Sequence, residues 1–183
     1  METQAFLQIK LMEEQVFTIS VYTENNPGLL NRIATIFLKR HINIESLNVS
    51  RSEIENVHRF TIVARMTEIN VKKLVGQIEK QIEVIKAYYH TDDEIIFHET
   101  ALYKMASNLL FDQREIQNVI KNSSANIVTV HPDFFVIEKT GRRKDTEALH
   151  DQLAPYGIMQ FVRSGRISIS KTEMKISEEL KNF

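Results

Sequence analysis

The chain of 183 residues contains no cysteine. That absence removes disulfide frameworks, thiolate nucleophiles, zinc knuckles and iron–sulfur sites together. Glycine is scarce as well. The five glycines stand singly at 28, 76, 141, 157 and 165, so no glycine-rich loop exists to cradle a phosphate. Neither sign of charge dominates: Lys plus Arg is 23 against 24 for Asp plus Glu, and a net charge of -1 lacks the phosphate-neutralising excess of a nucleic-acid binder. No apolar run approaches the ~18–20 residues of a membrane helix. The start, Met1-Glu2-Thr3-Gln4, lacks the basic end and apolar core of a signal peptide. The expectation is a soluble, cytoplasmic protein that meets neither nucleic acid nor membrane. Hydrophobic residues at 43% and charged residues at 26% lie near the globular average, and the length suits one domain or two small ones.

What is present is a repeated order of elements. Phe17, Ile19 and Val21 alternate with Thr18, Ser20 and Tyr22, the period of a half-buried strand. The loop Glu24-Asn25-Asn26-Pro27-Gly28 offers an Asn cap and a Pro suited to a first helical turn. Leu29, Leu30, Ile33, Ala34, Ile36 and Phe37 then follow at helical spacing. Alternation resumes at Ile42 and Ile44, slips around Glu45-Ser46 in the manner of a bulge, and continues through Leu47 and Val49. A polar turn over Arg51–Asn56 leads to a second hairpin arm at Phe60, Ile62, Ala64 and Met66. Val71, Leu74, Val75, Ile78 and Ile82 form another helical stripe, and Val84–Tyr89 is rich in strand formers. The order β-α-β-β-α-β is that of a ferredoxin-like module, with helices on one face of an antiparallel sheet.

A second round follows. Residues 92–100, acidic at the start, read as a linker or covering segment. Ala101–Ala106 reads as a strand, Asp112–Asn122 as a helix carrying Ile116, Val119 and Ile120, and Asn126–Val130 with Phe134–Glu138 as two strands turned at Pro132. Asp145 is positioned to cap a helix with Ala148, Leu149 and Leu153 inward, stopped by Pro155-Tyr156-Gly157. Ile158–Val162 and Arg166–Ser170 finish the sheet. The fold class is therefore α+β, two tandem ferredoxin-like modules, divided as an extension 1–15, a first domain 16–91, a linker 92–100, a second domain 101–170 and a charged tail 171–183 expected to form a helix. Leu7, Ile9 and Leu11 alternate within the extension, which suits either an added edge strand or a frayed end.

Nothing in this pattern supplies a catalytic constellation. The histidines at 41, 58, 90, 98, 131 and 150 fall in turns or at element ends, with no i, i+4 pair on a helix, and the carboxylate pairs Asp92-Asp93 and Glu178-Glu179 lie in solvated stretches. No catalytic residue and no metal ligand is expected. The chemically informative place is the loop before the first helix. A helix start offers unpaired N–H groups and partial positive charge to a carboxylate, Gly28 lets a ligand approach the backbone, and the amides of Asn25 and Asn43 both donate and accept.

The run Thr23–Ile33 with Asn43-Ile44-Glu45-Ser46-Leu47, the stretches Arg59–Ile62 and Gln77–Gln81, and Arg163-Ser164-Gly165 near the end resemble the small regulatory subunit of acetolactate synthase, whose first module is an ACT domain. The resemblance covers about Phe17–Ser170. It implies regulation in branched-chain amino-acid biosynthesis. The expected partner is a large catalytic subunit that holds thiamine diphosphate, Mg2+ and FAD, while this chain carries no cofactor of its own. The small subunit would activate that enzyme and confer feedback inhibition by a branched-chain amino acid, valine foremost. ACT domains of this kind pair across a two-fold axis, so a homodimer is expected with effector in the seam. Carried over by position, the effector residues are Asn25, Pro27, Gly28, Leu29, Leu30, Asn43 and Ile44. Leu30, Ile33 and Ile44 suit an apolar wall. The alternative reading is a stand-alone ACT-type amino-acid sensor with no enzyme partner.

Overall fold

The structure is a computed structural model that describes residues 13–174 and Glu178. The alternation at Leu7, Ile9 and Leu11 and the expected tail helix around Ile176 and Leu180 lie outside the described residues. The chain divides into two compact units, Met1–Ile96 with Ser168–Phe183, and Phe97–Ile167.

In the first unit, β1 (Gln15–Glu24), β2 (Ile44–Arg51), β3 (Val57–Met66) and β4 (Val84–Thr91) form an antiparallel sheet in the order β2-β3-β1-β4. The connections β1 to β2 and β3 to β4 are made by α1 (Leu29–Lys39) and α2 (Glu68–Ile78), so the element order is the one expected. Both helices pack on one face. Leu29, Ile33, Ile36 and Phe37 of α1 and Val71, Leu74, Val75 and Ile78 of α2 join Phe17, Ile19, Val21, Phe60 and Ile62 in one core. Each such fully buried side chain contributes roughly 1.5–3 kcal/mol. The register of β2 on β3 shifts between Ile44 and Ser46, where the alternation slipped in the sequence.

Three local expectations need correction. Strand β1 is buried on both faces, because Thr18, Ser20 and Tyr22 are as closed to solvent as Phe17, Ile19 and Val21. A central strand whose helix-free face is also covered loses the burial contrast that alternation normally reports. Ile82 does not continue the stripe of α2: the helix ends at Ile78 and Ile82 is 96% exposed. Helix α1 has no Asn cap. Gly28 occupies that position in the left-handed region, at φ 87° and ψ -8°, with no side-chain cap bond. Helix α2 is conventional, its Thr67 Oγ1 accepting from the Asn70 N–H at 3.3 Å.

The second unit is built on β5 (Ile95–Ala106, entering it at Phe97), β6 (Asn126–Val130), β7 (Phe134–Gly141) and β8 (Ile158–Arg163), in the order β6-β7-β5-β8; β9 (Ile167–Ser170) pairs with β5 and from Ser168 onward belongs to the first unit. Residues 92–100 are therefore no linker. The chain turns at once after β4, and β5 begins at Ile95 with the alternating burial of a strand. The helical region after β5 is two pieces, α3 (Ser107–Asp112) and α4 (Arg114–Asn122), separated by the extended backbone of Gln113 (φ -124°, ψ 100°). In α5 (Arg143–Leu153), Asp145 is three residues inside the helix rather than at its cap. Its carboxylate accepts from the Arg142 N–H at 2.9 Å, the return half of a capping box. Thr146, Leu149 and Leu153 face inward, while Ala148 is exposed. The core gathers Tyr103, Met105, Ile116, Phe135 and Ile137, with the hydroxyls of Tyr103 and Thr146 as polar groups within or beside it. The Tyr103 hydroxyl donates to the Thr146 carbonyl at 2.5 Å, and burial pushes its pKa up to about 12.

Candidate functional site

The loop expected to receive an effector lies where β1 hands the chain to α1. Asn25, Asn26, Pro27 and Gly28 are exposed, and a Cβ built on Gly28 would meet nothing within 4 Å. The space over the first turn is open, which is what a ligand approaching the backbone requires. The loop is held from below by the Asn25 N–H donating to the Asn56 carbonyl at 3.2 Å and the Glu24 N–H donating to the Glu83 carbonyl at 2.9 Å. Leu29 is sealed in the core, so it can offer a ligand its backbone only, whereas the Leu30 side chain is 46% exposed beside the loop.

Glu83, in the connection from α2 to β4, closes the outer side of this loop. Its Oε1 pairs with Arg32 Nη2 at 2.5 Å and lies 3.5 Å from Asn26 Nδ2. Its Oε2 is buried with no hydrogen-bond partner among the described residues. A cavity of about 390 Å³ opens between Asn25 and the β2–β3 turn, with Arg51, Ser52, Glu53 and His58 on its walls. The sequence marks Arg51–Asn56 as a polar turn, but neither it nor Glu83 carried a sequence signal for a site. Each is an ordinary polar residue or turn until the fold brings it beside the loop.

Asn43 and Ile44 are somewhere else. Glu24, at the loop, pairs with Val57 of β3, while Ile44 pairs with Ala64, which also faces Phe17 at the start of β1. Seven residues of β3 separate these levels, ~23 Å at ~3.3 Å per strand residue. Ile44 is half-buried against the core and Asn43 is exposed at that far end. Asn25, Pro27, Gly28 and Leu30 thus stand together, and Asn43 with Ile44 stands apart from them within one chain.

Among the described residues β2 is an edge strand that pairs with β3 alone, and Leu47 and Val49 are 36% and 40% exposed along it. An edge strand can serve as a template for another strand. A second β2 laid antiparallel against it would place one copy's Ile44 level with the other's Arg51, and Arg51 is level with His58, one residue from Val57.

No group of three or more His, Cys, Asp or Glu among the described residues is placed to hold a metal. No helix among them is long and apolar enough to cross a membrane.

Comparison with known proteins gives a consistent picture. Residues 19–86 match the family described as AHAS small subunit-like ACT domain, and residues 98–172 match the family described as small subunit of acetolactate synthase. The acetolactate synthase small subunit of Bacillus subtilis is 37% identical over 166 residues, covering 90% of this chain and 95% of that protein. The probable acetolactate synthase small subunit of Archaeoglobus fulgidus is 34% identical, covering 86% and 98%. Among solved structures, the small subunit of acetolactate synthase from Thermotoga maritima superposes with a TM-score of 0.78 at 24% identity, covering 87% of this chain and 99% of that one, a likeness of fold.

Proposed function

The chain belongs to the acetolactate synthase small-subunit family, regulatory subunits whose catalysis resides in a large subunit, and from that premise we infer a feedback sensor made by two copies of the chain. Two chains join through the β2 edges of their ACT domains, and a branched-chain amino acid, valine foremost, sits between the Asn25–Gly28 loop of one copy and Asn43–Ile44 of the other. The chain activates a thiamine-dependent large subunit that carries thiamine diphosphate, Mg2+ and FAD, binds no cofactor itself, and works in the cytoplasm. One observation supports this reading: the two groups of candidate effector residues lie at opposite ends of one sheet, and β2, which among the described residues pairs with β3 alone, runs along its edge between those ends. Two-fold pairing along that edge is the arrangement that shortens the gap between them.

The chemistry at the loop suits an amino acid. First-turn N–H groups and the Asn25 amide favour a carboxylate, and Leu30 with Ile44 offers hydrocarbon. Regulation follows if one arrangement of the pair binds effector better than the other, for which a coupling of ~1–3 kcal/mol suffices. The test is calorimetric titration with valine, leucine and isoleucine, alone and after reconstitution with a large subunit. Saturable binding, and enzyme activity that rises on adding this chain and falls again with the bound amino acid, is the expected result. A chain that neither captures nor activates a large subunit yet binds an amino acid would be a stand-alone sensor, which overturns the regulatory part of the proposal.

A further inference from the structure

The face of the first sheet that bears no helix is polar, yet much of it is closed to water. Thr18, Ser20, Tyr22 and Thr61 are all buried there. The register sets Arg59 of β3 directly beside Tyr22, and His90 of β4 directly beside Thr18. The chain returns over this face from Ser168 onward, within the same compact unit. It is tied down by the Arg59 Nη2–H donating to the Ser168 carbonyl at 2.7 Å and by the Lys171 N–H donating to the Glu94 carbonyl at 2.9 Å. Beneath it remains a cavity of about 440 Å³, in the range that holds small metabolites.

Arg59 is the unusual wall of this cavity. Besides the Ser168 carbonyl it meets Ser20 Oγ at 3.2 Å and Ser168 Oγ at 3.4 Å, all neutral acceptors. Its Nε–H is buried with no hydrogen-bond partner among the described residues. Arg59 is half-buried, and a guanidinium whose hydrogen bonds go to neutral acceptors while its Nε–H lies unpaired beside a cavity would gain from an anion there. The rest of the lining is mixed: Tyr22, Ile95 and Ile169 offer hydrocarbon, and Ser20 and His90 offer hydrogen bonds.

We propose that this cavity is a second ligand site, separate from the loop at Asn25–Gly28, and that it takes a small carboxylic acid with a short apolar chain. The carboxylate sits on Arg59 and the hydrocarbon lies against Tyr22, Ile95 and Ile169. A single guanidinium presents paired N–H donors in the plane that a carboxylate accepts. The other groups argue for one negative charge rather than two. Burial lowers the His90 pKa, Glu94 opposes that shift and Arg59 adds to it, so the ring is neutral at pH 7 and brings no second cation. The Lys171 ammonium also borders the cavity but donates to the Asp93 carbonyl at 2.7 Å. Glu53 and Glu173 border it too, both exposed, and would repel a dianion such as phosphate.

The test is an amide NMR titration of the full chain with sodium hexanoate, with hexan-1-ol and inorganic phosphate as comparison probes. Hexanoate is expected to shift the amides of residues 20–22, 59–61 and 168–172 saturably below ~20 mM, while hexanol and phosphate at the same concentration do not. Arg59→Gln should weaken hexanoate at least ~tenfold. Because Arg59 also holds Ser168, that variant could act by loosening the covering segment. Ile169→Trp, which sets a larger side chain at the rim of the cavity and leaves Arg59 in place, should therefore abolish binding as well. Asn25→Ala should leave hexanoate binding unchanged, which separates this site from the effector loop. No saturable shift, binding that survives Ile169→Trp, loss of binding in Asn25→Ala, or equal shifts from phosphate would each overturn the proposal.

Discussion

Asn25 and Ile44 stand at opposite ends of one sheet: Asn25 follows Glu24, which pairs with Val57, whereas Ile44 pairs with Ala64 seven residues further along the same strand. A single chain cannot close these two groups on a ligand the size of an amino acid. The distance turns an expectation about site residues into one about assembly, and the predictions below follow from it and from the packing around it.

The β2 edge should be the seam. Val49 lies on it, 40% exposed, and a lysine at an edge strand resists further pairing by charge and desolvation. Val49→Lys should weaken self-association by roughly tenfold or more while leaving the monomer folded. Light scattering across a dilution series checks this, and an undiminished dimer would move the seam to another surface.

Gly28 separates backbone strain from ligand repulsion. It holds φ 87°, and a side chain there would meet nothing within 4 Å, so Gly28→Ala should cost only the left-handed penalty of ~1–2 kcal/mol. Valine binding should largely survive it. Gly28→Asp fits that backbone region better than alanine does, yet sets a carboxylate where the effector's own carboxylate would lie, and it should abolish binding. Urea unfolding and calorimetry on the two variants give both readouts, and an Asp variant that binds as tightly as the Ala variant would remove the loop from the site.

His90 should make the first unit less stable in mild acid. Its pKa is lowered from 6.5 by burial, with Glu94 opposing and Arg59 reinforcing, so the folded state favours the neutral ring. Below pH 6.5 the unfolded chain takes up the proton first, and stability falls as pH drops from 6.5 towards the folded value, then levels off. Urea midpoints between pH ~7.5 and ~5.5 should decline more in the wild type than in His90→Gln. Equal declines in the two proteins would contradict this reading.

Local pattern carried much of the fold. Phe17, Ile19 and Val21, the stripe Val71–Ile78 and the slip at Glu45-Ser46 each announce their element, because period and bulge are written in consecutive residues. What failed depended on residues distant in sequence. Thr18, Ser20 and Tyr22 read as solvent-facing because the segment that covers them lies nearly 150 positions later. Ile95–Glu99 reads as a linker because acidic Asp92-Asp93-Glu94 precedes it, although a polar tight turn needs no more than that. Asp145 caps from inside its helix, a difference of three residues that composition cannot distinguish. The candidate site was half legible. Asn25 to Gly28 stood out as loop chemistry, but Glu83, the turn at Arg51–His58 and the separation of Asn43 from Asn25 come from strand register, which no short stretch encodes.

The central claim is that each effector site draws on two chains, and mixing two inactive variants tests it most directly. Asn25→Ala and Asn43→Ala, each purified alone, should bind valine poorly, because every site in either homodimer lacks one amide. Unfolded and refolded together, they form mixed dimers in which one site collects both defects and the other collects none. About half of the dimers should be mixed, so roughly a quarter of the wild-type binding capacity should return at wild-type affinity. No recovery on mixing, with dimer exchange verified by mass, would contradict a site shared between two chains.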